Sequence, residues 1–195
     1  MKNKLVYLIG IIAAAGLSRL LPHPWNFSPL VGITLMGGAL ISNRKLSFLL
    51  PLAIWLFTDL LVNAFIYAKP LTDLSYFITS DALGVYLSML MIWGIGLLMS
   101  KRLRFSTILA GTIASSLLFY IVTNTAVFLG SPYYEPSLAG WLQCMYMGIP
   151  FYQSPYGTLF GSFFFNGIMG DLFYSGMLFG SWYYINRRAF VPAIA

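Results

Sequence analysis

Five or six long apolar runs, separated by short basic clusters, constrain this chain more than any other feature. A helix needs about 20 mostly apolar residues to cross the hydrocarbon core of a bilayer. The runs fall at about 5–21, 30–42, 46–67, 81–99, 105–129 and 158–184. Only 8% of the residues are charged, against about 25% in a soluble domain. The expected fold is an all-α membrane protein, a six-helix transmembrane bundle in a single domain over residues 1–195. The second run is short and holds Gly32, Gly37 and Gly38, so it reads as a steep, buried or partly re-entrant segment.

The basic residues set the expected orientation. Lys2, Lys4, Arg44, Lys45, Lys101, Arg102, Arg104, Arg187 and Arg188 fall on one side of the bundle, and Arg19 and Lys69 on the other. The positive-inside rule then puts both termini in the cytoplasm. The net charge of +6 comes from these clusters and does not indicate a nucleic-acid partner. The first run also has the form of a signal peptide, with small residues from Ala13 to Gly16 for cleavage. It leads straight into Arg19 and a proline-rich link, which favours a retained first helix. Gly10, Ala13 and Ala14 form a small-residue face suited to close helix approach, within the chain or to a partner membrane protein.

The link Arg19-x-x-Pro22-His23-Pro24-Trp25-Asn26-Phe27-x-Pro29 carries the chain's single histidine. Each proline fixes its own φ and turns the residue before it away from helix. The link is thus a stiff, non-helical segment at a membrane boundary. Two further loops, 69–80 and 130–157, lie on the same side. The longer contains Tyr133, Tyr134, Glu135, Trp141, Cys144 and Tyr146, with a short interfacial helix expected near 138–148. Its aromatic residues suit a membrane-interface belt or stacking on a flat, conjugated molecule.

Helix rise places a set of polar residues at one level beneath these loops. Arg19, Asp59, Asn63, Asn124 and Asn166 share it, and Asp171 lies nearer the midplane. Ionisable groups in a span are costly and face a partner or a cavity. Arg19 and Asp59 read as an ion pair, structural or in contact with a ligand. His23 reads as a loop lock or a ligand contact. Cys144 reads as a small buried residue, or, if it faces a pocket, as a soft-metal contact. Asp171 reads as a helix-to-helix hydrogen-bonding group.

One cysteine and one histidine leave no disulfide and no zinc-type cluster, so no metal or cofactor is expected. No phosphate-binding glycine loop and no Ser/His/Asp set is present. The Gly170-Asp171 pair lacks the companion motifs of an intramembrane aspartyl protease. A non-enzyme is expected. The alternative enzyme would use Asp59, Asp171 or His23.

The proline-rich link, with Thr123-Asn124, Cys144-x-Tyr146, Ile149-Pro150-Phe151, Gly170-Asp171 and Leu178-Phe179-Gly180, resembles the signature of an uncharacterised family of small integral membrane proteins of bacteria. The resemblance implies the bacterial cytoplasmic (inner) membrane. In its architecture the chain also resembles the S component of energy-coupling factor (ECF) transporters. That resemblance implies a first helix, here with Gly10, Ala13 and Ala14, docking to a coupling subunit driven by ATPases, and outer loops capping a vitamin-like ligand.

The function expected is a substrate-binding subunit for uptake of such a molecule, within a lipid membrane. The ligand would rest above Asp59 and Asn63, beneath the link and the two loops. Arg19, His23, Asn26, Asn124 and Asn166 would supply polar contacts, and Tyr133, Trp141 and Tyr146 would close over it. The competing expectation is a membrane assembly protein whose polar groups pair with one another and leave no cavity.

Overall fold

The computed structural model describes residues 2–149 and 162–186, with side chains from residue 4 onward. These residues form seven α-helices and no strand. They are α1 (Lys2–Leu17), α2 (Leu30–Leu40), α3 (Arg44–Phe65), α4 (Ser80–Met99), α5 (Phe105–Gly130), α6 (Leu138–Met147) and α7 (Phe163–Ile185). Residues 158–161 of the sixth expected span, Pro150 and Phe151 of the signature, and Arg187 and Arg188 of the charge pattern lie outside the described residues.

Helices α3, α4 and α5 are each long and apolar enough to cross a membrane. At 1.5 Å per residue they run roughly 30–39 Å, matching the ~30 Å hydrocarbon core. Their starts follow local chemistry. The Asn43 side chain accepts from the Leu46 amide to open α3. Thr79 caps α4 by accepting from the Ala82 amide. Asp81 then sits in the first turn, where the helix dipole favours negative charge. Ser137 and Ser162 cap α6 and α7 in the same way.

Helix α2 is the axis of the bundle. At 11 residues it is too short to span, and every residue from Leu30 to Ala39 is buried. It touches α1, α3, α4, α5 and α7. Its glycines make this possible. A β-carbon on Gly38 would lie 2.5 Å from the Trp93 carbonyl oxygen and 3.1 Å from Gly96 of α4. One on Gly37 would lie 2.6 Å from the Ser47 carbonyl oxygen in α3. Pro51, inside α3, has no N–H to bond that carbonyl four residues back. The α2 backbone packs into the resulting gap.

The link folds as the prolines dictate. A single 3-10 turn, Ser18–Leu20, ends α1, and Leu21 is extended. The Phe27 amide then closes a β-turn onto the Pro24 carbonyl at 3.1 Å. Asn26 occupies the third position of that turn with φ 62°, where Gly or Asn is favoured. The His23 Nδ1–H donates to the same Pro24 carbonyl at 2.9 Å, which locks the turn further. Gly167 and Gly170, one turn apart on α7, receive it. A β-carbon on Gly170 would lie 2.9 Å from the Phe27 Cα, and one on Gly167 would lie 2.7 Å from the Asn26 amide nitrogen.

Candidate functional site

The site lies at the end of the bundle where α4 begins and α5 ends. A cleft of about 310 Å³ opens there, within the ~300–1,000 Å³ usual for small-molecule sites. Trp55, Val85, Phe119, Val127 and Phe163 give it an apolar and aromatic wall. Asn26, Asp81, Thr123, Asn124, Tyr134 and Cys144 bring the polar groups. A smaller chamber of about 30 Å³ lies against it, with Asn26, Phe119, Thr123, Asn124 and Phe163 common to both walls. Ser116, Tyr120 and Asp171 line the chamber alone.

Helix α6 forms the cap, and its register decides which side chains face inward. Trp141, Cys144 and Gly148 recur at helical spacing and lie against α5. The Trp141 indole donates to Thr125 Oγ1 at 3.0 Å. Cys144 Sγ contacts the Asn124 carbonyl at 3.4 Å, and the Tyr120 hydroxyl donates to the Met145 carbonyl. Gly148 leaves room for Asn124 and the Tyr120 hydroxyl. Burial pushes the Cys144 thiol above its ordinary range, opposed by a hydrogen bond with Tyr134.

The expected site residues separate into three groups. Asn26 and Asn124 meet in the cleft. Asn26 is held by its side-chain bond to the Phe163 carbonyl at 3.0 Å, and Asn124 by its bond to the Tyr120 carbonyl at 2.8 Å.

Arg19, Asp59 and Asn63 form a second cluster that lines neither space. Arg19 pairs with Asp59 Oδ1 at 3.1 Å and donates to Thr58 Oγ1 at 3.0 Å. Asn63 donates to the Asp59 carbonyl and to Oδ2. Trp55 joins the two regions, since the Arg19 guanidinium stacks 3.7 Å from its ring centre.

The remaining expected residues lie apart. His23 serves the turn, and Asn166 is buried at 1% exposure and lines neither space. Tyr133 is 90% exposed and Tyr146 is 67% exposed, so neither closes over the cleft. Tyr146 follows Cys144 by two residues, which turns it to the opposite face of α6. Trp141 anchors α6 and is not among the cleft residues. The loop at 69–80 folds on itself. Ser75 Oγ and the Ser75 amide bond Asp73 Oδ1 and hold its carboxyl below the usual carboxylate range. Lys69 lies over the Tyr76 ring.

Asp81, Trp55 and Phe119 are cleft residues that sequence reasoning did not single out, and Tyr134 stood there only as one of several loop aromatics. The aromatic density around 133–146 pointed to the segment, but not to which ring faces inward. On α1, Gly10 and Ala14 are exposed and Ala13 is half-buried. Among the described residues no group of three His, Cys, Asp or Glu side chains could hold a metal ion.

Helical spans, a buried half-helix and a capped cleft define a helical membrane protein with a small-molecule-sized site. Residues 1–194 match the family described as "Family of unknown function (DUF6580)", and the chain belongs to that family. No curated protein and no solved structure matches it.

Proposed function

We propose that this protein is the substrate-binding membrane subunit of an uptake system for a vitamin-like small molecule. One observation carries the reading: the cleft of about 310 Å³, lined by aromatic side chains together with Asn26 and Asn124. Its lining includes the Asp81 carboxylate and no basic side chain, so it favours a neutral or cationic ligand with an apolar ring. In this reading α1, α2, α3, α4, α5 and α7 are the six helices of an ECF S-component-like bundle, and α6 caps the ligand. The protein sits in a bacterial inner membrane with both termini cytoplasmic and the cleft facing outward. Exposed Gly10 and Ala14 offer the face for a coupling subunit, and partner ATPases supply the energy.

A second reading, a membrane assembly protein, draws support from the Arg19 cluster. Arg19, Thr58, Asp59 and Asn63 bond one another. That cluster fits a structural lock between α1 and α3 rather than a ligand contact.

Native mass spectrometry of the gently purified protein tests the first reading, followed by thermal shift against a vitamin panel. A co-purifying small molecule, or a shift with one vitamin, supports it. Asn124→Ala should then weaken binding at least about tenfold, the equivalent of ~1.4 kcal/mol, without loss of fold. A clean apo mass, no shift across the panel and an inert Asn124→Ala together overturn it in favour of the assembly reading.

A further inference from the structure

The α5–α7 interface carries a polar ladder that the cleft does not explain. Ser116 on α5 and Asp171 on α7 face each other across the small chamber, with Ser116 Oγ 2.7 Å from Asp171 Oδ2. One helical turn away from the cleft, Thr112 on α5 and Ser175 on α7 repeat the level. The hydroxyls of Thr112, Ser115 and Ser175 are buried and have no hydrogen-bond partner among the described residues. Native structures leave few such groups unpaired.

The hydrogen-bond count at Ser116 is informative. Ser116 Oγ also lies 3.0 Å from the Thr112 carbonyl, its neighbour one turn back. A serine hydroxyl carries one proton, and a carbonyl can only accept. With an ionised Asp171 that proton can serve the carboxylate at 2.7 Å or the Thr112 carbonyl at 3.0 Å, and the other contact is left as two acceptors. A neutral Asp171 resolves the conflict. Its own O–H donates to Ser116 Oγ, and Ser116 donates onward to Thr112.

The surroundings point the same way. Asp171 is 7% exposed, and an isolated buried carboxylate is strongly disfavoured unless paired or neutralised. No Lys, Arg or His lines the chamber. From α5 the chamber is lined by Ser116, Phe119, Tyr120, Thr123 and Asn124, from α2 by Leu30 and Val31, and from the link by Asn26 and Ser28. Tyr120 is the one other titratable side chain there, and its hydroxyl is taken by the Met145 carbonyl. The single ion pair among the described residues, Arg19 with Asp59, involves other elements.

We infer that Asp171 is an exchangeable proton-binding site in the bundle interior, neutral at physiological pH and reached through the chamber beside the cleft. The proton resides on Asp171 Oδ2 and is hydrogen-bonded to Ser116. Five residues line both spaces, so the chamber that Asp171 lines adjoins the open cleft. Occupancy of the proton site does not depend on any ligand in the cleft, so the inference stands apart from the uptake reading.

Infrared difference spectroscopy of the full chain in lipid nanodiscs tests it. The chain has five acidic residues, which makes assignment by substitution practical. The wild-type protein should show a protonated carboxylic-acid carbonyl band at neutral pH that Asp171→Asn removes. The band should shift in deuterium oxide and fade as the pH is raised. Ser116→Ala should keep the band and move it to higher frequency, because the hydrogen bond is gone. Absence of the band in the wild type, or its survival in Asp171→Asn, overturns the assignment. A band that persists at every pH at which the protein stays folded also overturns it, since Asp171 would then be a fixed structural donor. If Asp171→Asn does not fold, the wild-type titration and Ser116→Ala decide the matter.

Discussion

The guanidinium of Arg19 lies 3.7 Å from the centre of the Trp55 ring, and Trp55 is itself a wall of the cleft. The end of α1 and the cleft are therefore linked through one aromatic side chain. Arg19 stacks on it, and the Asp59 carboxylate one turn along α3 holds Arg19 in place.

Breaking this arrangement from one side should be costly. Arg19→Met leaves Asp59 without its cation in a mostly buried setting. Loss of one partner of such a pair costs on the order of 3 kcal/mol. Arg19→Met should lower thermal stability clearly, and the double variant Arg19→Met/Asp59→Leu should recover most of the loss. Equal destabilisation by the single and double variants would place the loss in Arg19's contacts with Thr58 and Trp55, and an unchanged melt of Arg19→Met would show that the pair does not hold the helices together.

Helix packing yields a contrast between two glycines. Gly38→Ala forces a β-carbon against the Trp93 carbonyl and should cost about 1–3 kcal/mol. Gly10→Ala meets nothing within 4 Å and should be neutral or stabilising by ~0.5–1 kcal/mol through helix propensity. Thermal melts in detergent measure both. A neutral Gly38→Ala would contradict the close approach of α2 and α4.

At Asn26 the backbone, not only the amide, is under selection by geometry. Asn26→Gly keeps the φ of 62° accessible and loses the bond to Phe163, a change worth about 1 kcal/mol. Asn26→Ala adds the left-handed penalty of roughly 1–2 kcal/mol. The Gly variant should therefore melt above the Ala variant, and the reverse order would argue against the turn.

Cys144 reports on the cap. Burial favours the neutral thiol, and the thiolate is the nucleophile. Maleimide labelling should be slow at neutral pH and accelerate as pH rises. Tyr134→Phe removes the hydrogen bond that favours the thiolate, so labelling at a given pH should slow further. Fast, pH-independent labelling would show that α6 does not cover this part of the cleft.

Much of this organisation was legible in the residues. Opposite charges at one depth gave the Arg19–Asp59 pair, and Pro22, Pro24 and Pro29 gave a non-helical link. Shortness and three glycines marked α2 as a steep, buried or partly re-entrant segment, and the fold selects the buried form. The inward faces were not legible, because Cys144 and Tyr146 differ only in which side of one short helix they occupy. That choice depends on docking against Tyr120, Asn124 and Thr125 of α5. Ser116 was invisible for another reason: serine is common in membrane helices, and only a facing carboxylate gives it meaning.

The seclusion of α2 bears on how the chain is made. An 11-residue apolar stretch whose first ten residues are buried offers little for the insertion machinery to recognise by itself. It must enter as a passenger of α1 or α3, and it stays unsheltered until α4, α5 and α7 have been synthesised around it. A nascent chain halted after α3 would expose a segment that the finished protein buries from Leu30 to Ala39.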